Sequence, residues 1–361
     1  MDHRKRIKVI LCANINQKVN KSWGKTGSFF LEELQKHADV IGIIDYSIKN
    51  RFLKKIHKLY NRIIIGQESF QNPFGNYRRE RNFIRKFKKL NVVPDVFIHL
   101  SSMVVPHGLS TKAMHVQYTD ATISGSIKYN NTKYTNSYIK NFNKFTARYM
   151  GRMHCIFTFN EWTKNSLIED FNVDVQKVIN IGFGANLDYY KGEKRYDNKL
   201  ILIVLRRGLE KNKGLHLLLE AFKRARKIDN DIRLAVVGTT LEPIEGVAYY
   251  EGFSREKTIE LFREAVLYAM PALFEPNGMV YIEALASKTP IMGLDRLAFP
   301  EFAGYGNYGF IVPENPDEMA TTLVEALNNP EKLQQMGSAG QNFVAGKYKW
   351  EVVVNNILQN I

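Results

Sequence analysis

The feature that most constrains the fold is a repeated alternation of short β-branched runs with amphipathic helical segments. Six strand-like runs lie in the first half of the chain and six in the second: IKVILCANI, DVIGIID, PDVFIHL, AMHVQY, CIFTF and KVINIGF, then KLILIVL, RLAVVG, YYEGF, VLYAMP, PIMGLD and GFIVP. This alternation is typical of βαβ units and a parallel sheet. A single open sheet does not comfortably accept so many strands, so the pattern predicts two Rossmann-like domains.

The domain boundaries are expected where the alternation is interrupted. The polar stretch DYYKGEKRYDNK, residues 188–199, is the predicted linker. An N-terminal domain is then expected over residues 1–187 and a C-terminal domain over residues 200–343. The final residues, 344–361, are expected to form a helix that packs back toward the N-terminal domain.

The excess of positive over negative charge lies entirely in the N-terminal half of the chain. Residues 1–190 hold 30 Lys or Arg and 14 Asp or Glu, a net charge of +16, whereas residues 191–361 hold 21 and 22. Residues 51–89 alone hold twelve Lys or Arg and two acids. Such a field attracts phospholipid surfaces, acidic glycans or nucleic acid. The basic stretches lack a recognisable RNA- or DNA-binding motif, so we do not expect a nucleic-acid partner.

Two basic segments also carry apolar residues at helical spacing. KNRFLKKIHKLYNR contains Phe52, Leu53, Ile56, Leu59 and Tyr60, and RRERNFIRKFKKLN contains Phe83, Ile84, Phe87 and Leu90. Helices of this kind can lie on an anionic bilayer. The alternative is that each apolar face packs into the core and leaves a solvated basic rim.

Cysteine usage and hydropathy indicate the compartment. Only Cys12 and Cys155 occur, both within apolar runs, which argues against a disulfide scaffold and a cysteine-based zinc site. The apolar run after the basic start MDHRKR is too short for a signal peptide, and no stretch approaches the length of a membrane span. We therefore expect a cytoplasmic protein, with peripheral association at the inner face of the membrane as a hypothesis.

The stretch FEPNGMVYIEALASKTP places two glutamates, Glu275 and Glu283, among mostly apolar residues. Eight helical steps would leave them roughly 80° apart, so one helical face cannot present both. Pro276 and the following Asn-Gly indicate a turn, with Asn277 as helix N-cap, Glu275 on the loop and Glu283 inside the helix. A helix start is a ready phosphate site, and here its N–H groups are those of Gly278, Met279 and Val280.

Three segments of the second half resemble retaining GT-B glycosyltransferases of family 4, the glycosyl transferases group 1. EPNGMVYIEALASKTPIMGLD resembles the E-x7-E signature, RRGLEKNKGLHLLLEAF the arginine-to-lysine loop, and FAGYGNYGFIVPENPDEMATTLVEAL the segment after the sugar site. The first half matches more loosely, through FTFNEWTKNSLIEDFNVDVQKVINIGFGANLDYY. The resemblance implies an α/β GT-B fold, with two Rossmann-like domains facing each other across a cleft.

The resemblance also implies roles for individual residues. Glu275 would hold hydroxyls of the transferred sugar, and Glu283 would accept hydrogen bonds from the ribose. Lys213 and Arg207, with Arg206 as an alternative to Arg207, would place positive charge at the departing β-phosphate. The resemblance also places Gly27 near the diphosphate and His115 facing the acceptor, with His99 and His107 as weaker candidates for that histidine. Phe253 is a further hypothesis, as the wall of the nucleobase site.

The expected reaction is transfer of a sugar from a nucleotide sugar to a hydroxyl of a glycan or lipid-linked acceptor, with retention. The acceptor attacks on the face from which the nucleotide leaves, as the resemblance implies, so no protein nucleophile is expected. The donor, UDP- or GDP-linked, is a substrate, and we expect neither a cofactor nor a metal. The alternatives are a sugar-nucleotide epimerase of the same fold and a catalytically silent module that binds an anionic surface.

Overall fold

The protein is divided into two compact units, each with its own parallel sheet. The computed structural model describes residues 6–13, 26–46, 50–60, 73–100, 105–106, 109, 111–129 and 135–361. The first unit comprises residues 1–127, 131–184 and 350–361, and the second comprises residues 128–130 and 185–349.

The first unit contains six strands and seven helices among its described residues. They are β1 (Lys8–Ala13), α1 (Thr26–His37), β2 (Asp39–Asp45), α2 (Arg51–Tyr60), α3 (Pro73–Leu90), β3 (Val96–Leu100), β4 (Met114–Thr119), α4 (Ile123–Tyr129), α5 (Asn136–Met150), β5 (Cys155–Thr158), α6 (Glu161–Phe171) and β6 (Val178–Asn180), with a C-terminal helix assigned below. The strand order is β2-β1-β3-β4-β5-β6, and every pair is parallel.

The second unit repeats this construction. Its elements are β7 (Leu200–Val204), α7 (Leu215–Ile228), β8 (Arg233–Val237), β9 (Val247–Tyr250), α8 (Arg255–Glu264), β10 (Leu267–Ala269), α9 (Met279–Ala286), β11 (Ile291–Leu294), α10 (Phe299–Phe302), β12 (Gly309–Val312), α11 (Pro316–Leu327) and α12 (Pro330–Lys347). The strand order is β12-β11-β10-β7-β8-β9, again parallel throughout. All twelve strand-like runs predicted from the sequence therefore contain strands.

The strand order of the second unit determines where a ligand site can form. From β7 the chain adds β8 and β9 on one side, then returns to add β10, β11 and β12 on the other. The order reverses between β7 and β10, which are direct neighbours. In open parallel sheets, ligands bind beyond the carboxyl ends of the strands at such a switch point. The loops that follow β7 and β10 are therefore the expected site.

Local sequence signals explain several helix starts in the second unit. The side chains of Ser254, Asn315 and Asn329 each accept a hydrogen bond from a backbone N–H in the first turn of α8, α11 and α12. In α11 and α12 a proline follows the cap directly, where its missing N–H has no helical partner to lose.

The last helix, α13 (Trp350–Gln359), groups with the first unit. The Trp350 ring packs edge-on against Phe30 of α1, at a centroid distance of 6.0 Å. A Cβ on Gly184 would lie 2.2 Å from the Trp350 ring, so the glycine makes room for it. Contacts divide the chain at 184/185 and 349/350, whereas the boundaries expected from the sequence lay at 187/188 and 343/344.

The two basic helices of the first unit differ in what their apolar residues contact. On α3, Phe83 is fully buried, and Phe87 and Leu90 pack against the same core cluster. On α2, by contrast, Phe52 is 69% exposed and Leu59 58% exposed. The expectation of a membrane-facing apolar surface is thus wrong for α3, whose apolar residues cover the sheet. No helix in the described part of the chain combines the length and apolarity needed to cross a membrane.

Candidate active site

The loops after β7 and β10 are tied together through their backbones. The carbonyl of Asn212 accepts hydrogen bonds from the N–H groups of Leu273 at 2.9 Å and Phe274 at 3.2 Å. Gly214 has a φ of +71°, and a Cβ there would lie 1.9 Å from the carbonyl oxygen of Pro271. Only glycine permits both this backbone conformation and this approach. The loop that carries Lys213 is therefore held against the loop that carries Glu275.

Lys213 and Glu275 meet at this junction. The Lys213 Nζ donates to Oε2 of Glu275, and the two side chains are 17% and 13% exposed. The other carboxylate oxygen, Oε1, accepts the backbone N–H groups of Asn277 at 3.0 Å and Gly278 at 3.1 Å. A buried carboxylate is costly unless it is hydrogen bonded, and here three donors satisfy it. The structure thus brings two of the predicted catalytic residues together.

The start of α9 differs in one detail from the sequence prediction. The N-cap is Gly278, with a φ of +66° and no side-chain cap, so the assignment of Asn277 as N-cap was wrong. A Cβ on Gly278 would lie 2.0 Å from the Phe302 ring, which restricts this position to glycine. The Gly278 N–H, expected to be available to a ligand, is used by Glu275. Met279 and Val280 open the first turn of the helix, as expected.

Glu283 lies inside α9 as predicted and has a partner that the sequence did not suggest. Its Oε1 accepts a hydrogen bond from Nη2 of Arg255 at 3.2 Å, and its side chain is 15% exposed. The Arg255 guanidinium also donates to the carbonyl of Asn186. Among the described residues no donor reaches Oε2 of Glu283. Burial raises the pKa of Glu283 above its usual value, although the charge of Arg255 opposes this.

Arg206 and Arg207 do not join Lys213 and Glu275. Arg207 is 79% exposed, and its Nη1 pairs with Oε1 of Glu251 at 2.8 Å, just beyond β9. Arg206 is also exposed. An exposed pair of this kind contributes little to stability, so it does not hold Arg207 in place strongly. Their roles at the phosphate stay predictions.

Glu210 is a loop residue that the sequence analysis missed. Its Oε1 accepts the N–H of Gly208 at 3.0 Å and the hydroxyl of Thr239 at 2.8 Å, which links the loop after β7 to the end of β8. The Gly208 hydrogen bond is the largest cause of a pKa below the usual value for Glu210. The signal available in the sequence was the hydrogen-bond partner of Glu210, Thr239, a polar residue directly after the strand run VVG.

Phe253 lies between β9 and α8 and is half-buried. Its ring packs on Tyr250 at a centroid distance of 4.5 Å, and the Lys257 Nζ lies 5.5 Å from the ring centre. Its role as nucleobase wall stays a prediction.

His115 and Gly27 belong to the first unit. Gly27 is buried in the first turn of α1. On β4, His115 is directly opposite Phe97 of β3 and stacks on its ring at 4.6 Å, while Nδ1 of His115 lies 2.9 Å from Nε2 of His99. Burial lowers the pKa of His115 to about 4, so the ring is neutral near pH 7. Its acceptor-side role stays a prediction, and His107 lies outside the described residues.

No group of three or more His, Cys, Asp or Glu side chains within the described ranges is arranged to hold a metal ion.

Comparison with known proteins identifies the second unit. Residues 188–343 match the family model described as glycosyl transferases group 1. The second unit belongs to this family. The matched range includes both loops of the candidate site. It also includes every site residue that the sequence predicted in the second unit.

The curated relatives are distant and match only part of the chain. The protein named MMP alpha-(1->4)-mannosyltransferase, from Mycolicibacterium hassiacum, is 26% identical over an alignment of 214 residues that covers 55% of this chain and 51% of the relative. The chain spans about half the length of the curated relatives that it matches.

Solved structures of glycosyltransferases share the fold. A glycosyltransferase from Rickettsia africae covers 99% of this chain and 98% of its own, with a TM-score of 0.67 and 16% identity. The Anabaena protein HepE, solved in complex with UDP, covers 98% of this chain and 99% of its own, with a TM-score of 0.68 and 13% identity. The prediction of an α/β GT-B fold built from two Rossmann-like domains is confirmed.

Proposed function

We propose that the protein is a retaining glycosyltransferase that moves a sugar from a nucleotide-sugar donor to a hydroxyl of a glycan or lipid-linked acceptor. The observation that carries the proposal is the meeting of Lys213, Glu275 and the start of α9 at the switch point of a glycosyl transferases group 1 unit. An isolated lysine or helix start would be weak support. A cation and a helix start at one crevice match the diphosphate of a nucleotide sugar, and the carboxylate matches the hydroxyls of its sugar.

The chemistry follows from charge. When the bond between the sugar and the nucleotide breaks, negative charge develops on the β-phosphate. The Lys213 ammonium is nearly buried, and the N-terminus of α9 carries a partial positive charge of about half a unit. Fixed charges of this sign in a low-dielectric site lower the barrier without reorganisation. Glu275, already oriented by two backbone N–H groups, can accept sugar hydroxyls, which are hydrogen-bond donors.

Glu283 is assigned to the ribose because one of its oxygens has no partner among the described residues. Replacing it with glutamine is expected to weaken nucleotide binding by roughly 10- to 100-fold, since a hydrogen bond to a charged acceptor is lost. Calorimetric titration with UDP, GDP and their sugar conjugates measures this change in nucleotide affinity and also identifies the preferred nucleobase. An affinity equal to that of the native protein for every nucleotide would contradict the assignment.

The same substitution is expected not to destabilise the fold. A raised pKa means that the folded state disfavours the carboxylate, so this group weakens folding progressively as the pH rises from about 4.5 through its raised pKa. Glutamine removes that cost near pH 7 and still offers an oxygen to Arg255. We expect an unchanged or higher melting temperature at pH 7. Glu220→Gln on the exposed face of α7 is the matched control.

The acceptor is proposed to lie at a membrane surface, and α2 supports this. Phe52, Ile56, Leu59 and Tyr60 recur at four- and three-residue steps and are all exposed. The same ten-residue helix contains Arg51, Lys54, Lys55 and Lys58 and no acid. Apolar side chains beside basic ones on one helix suit the interface of an anionic bilayer.

Phe52→Ser with Leu59→Ser is expected to reduce binding to vesicles that contain phosphatidylglycerol by more than about tenfold, because each buried side chain contributes about 1.5–3 kcal/mol. Vesicle flotation at low and high salt measures this binding. Since both side chains are exposed, the fold is expected to be unaffected. Tyr77→Ser with Val93→Ser, also exposed, is the matched control. Equal losses in both variants, or binding that ignores lipid charge, would count against α2.

A further inference from the structure

A second pocket lies in the second unit, away from Lys213 and Glu275. Its volume is about 830 Å³, within the range of small-molecule sites. It is formed by the segment 188–191, by Arg263 in the last turn of α8, by Lys288 just after α9, by the last turns of α12, and by Lys349 just after α12. Arg263 precedes β10 and Lys288 precedes β11, so the pocket lies toward the amino ends of these strands. The candidate active site lies beyond their carboxyl ends.

The pocket has a strong excess of positive charge. Four cations line it, Lys191, Arg263, Lys288 and Lys349, against one acid, Asp188. Within the described residues none of the four forms an ion pair with a carboxylate. The Lys288 Nζ bonds only a neutral partner, the carbonyl of Gly192 at 3.0 Å. Four cations beside a single carboxylate repel one another, so binding of an anion here would relieve that repulsion.

Capping of helix ends does not account for these cations. Arg263 does lie in the last turn of α8, and Lys288 follows the carboxyl end of α9, where a positive charge is favourable. A different residue already caps these two ends, because Lys194 donates to the carbonyls of Phe262 at 2.8 Å and Ser287 at 3.3 Å. Three helix ends at the pocket supply about −1.5 charges together, which leaves the four cations and Asp188 in excess by roughly +1.5.

The pocket wall is held in a defined geometry. The Tyr190 ring lies 5.3 Å from the Arg263 guanidinium and 5.9 Å from the Lys288 Nζ. The backbone N–H of Tyr190 donates to the carbonyl of Ala286 at 3.1 Å. The Gln341 side-chain amide donates to the carbonyls of both Tyr190 and Ala286 at 2.8 Å. Arg263 and Lys288 are therefore positioned by one fixed aromatic ring, so less side-chain freedom is lost when a ligand binds.

We propose that this pocket binds a small molecule that carries a doubly charged phosphate or a diphosphate group. The planar guanidinium of Arg263 suits two phosphate oxygens, and Lys191, Lys288 and Lys349 supply point charges around it. An excess of about 1.5 to 3 positive charges suits a ligand of charge −2 or −3. This site does not depend on the proposed sugar transfer.

Hydrogen exchange, measured peptide by peptide with inorganic pyrophosphate as the probe, separates this pocket from the candidate active site. In the native protein pyrophosphate is expected to protect residues 188–192 and 341–349. Arg263→Gln with Lys349→Gln should abolish that protection and leave any protection of residues 207–214 and 275–280 unchanged. Lys213→Gln should abolish any protection of residues 207–214 and 275–280 and leave the protection of residues 188–192 and 341–349 unchanged. The pocket proposal and the active-site proposal can thus fail independently.

Lys223→Gln with Lys227→Gln, on the exposed face of α7, removes the same charge elsewhere and serves as control. The pocket double variant is expected to raise the dissociation constant of pyrophosphate, measured by calorimetry in the Lys213→Gln background, by at least about tenfold. An equal rise in the control would show only non-specific attraction and overturn the proposal. So would the absence of protection at residues 188–192 and 341–349 at millimolar pyrophosphate.

Discussion

Replacing Lys213 with alanine is expected to slow sugar transfer by about 10²- to 10³-fold, the cost of removing one fixed electrostatic partner from a transition state. Lys213 is the one cation that the described structure places against Glu275, and its side chain is 17% exposed. Its charge therefore acts in a site with little water to replace it. The measurement is turnover of a nucleotide sugar at saturating donor, read by the released nucleotide.

Folding is expected to survive this substitution. Glu275 keeps its two backbone donors, Asn277 and Gly278, so its carboxylate is not left without hydrogen bonds. Lys211→Ala is the matched control, since Lys211 is exposed on the same loop. We expect that variant to retain native turnover. If Lys213→Ala turned over at nearly the native rate, leaving-group stabilisation by this lysine would be wrong.

Alanine at position 214 is expected to destabilise the second unit by about 2–4 kcal/mol, because the substitution combines a steric clash with an unfavourable backbone conformation. Its Cβ would lie 1.9 Å from the carbonyl oxygen of Pro271, at a φ of +71°. Backbone atoms cannot rotate away, so the two loops must separate. That movement also displaces Lys213 from Glu275, and we expect activity to fall with stability.

Gly208→Ala is the control that isolates the clash. Gly208 has a φ of +84° in the same loop, but no atom lies within 4 Å of a Cβ there. Gly208→Ala should therefore lower the free energy of unfolding by about 1–2 kcal/mol, the effect of the unfavourable backbone conformation alone. Chemical unfolding of both variants, followed by circular dichroism, measures the difference. Equal losses would mean that the close approach to Pro271 does not matter.

Much of the fold could be predicted because its signals are local. Strands such as Ile291–Leu294 are short apolar runs, and helices such as α7 and α11 repeat their apolar residues at helical spacing. The loop position of Glu275 followed from the proline and Asn-Gly after it. The placement of Lys213 and Glu275 in one site was implied by the family resemblance, and the structure shows their contact.

Other features depend on residues that are distant in sequence. Gly278 replaces Asn277 as N-cap because the Phe302 ring approaches from another segment and leaves no room for a side chain. Arg255 reaches Glu283 from α8, and Arg207 pairs with Glu251 just beyond β9. No pattern within either segment predicts these pairs, since each depends on the spacing between two elements.

The amino-acid sequence by itself determined the two parallel α/β units, the loop position of Glu275 and the basic character of the first half, because periodicity, turn residues and charge are properties of short stretches. Only the tertiary structure decided which apolar faces are covered, as for α3 but not α2, and which charges meet. Those outcomes depend on packing and desolvation, which arise when separate segments come together. The cationic pocket beside Tyr190 is the clearest case, since its four cations come from four separate segments of the chain.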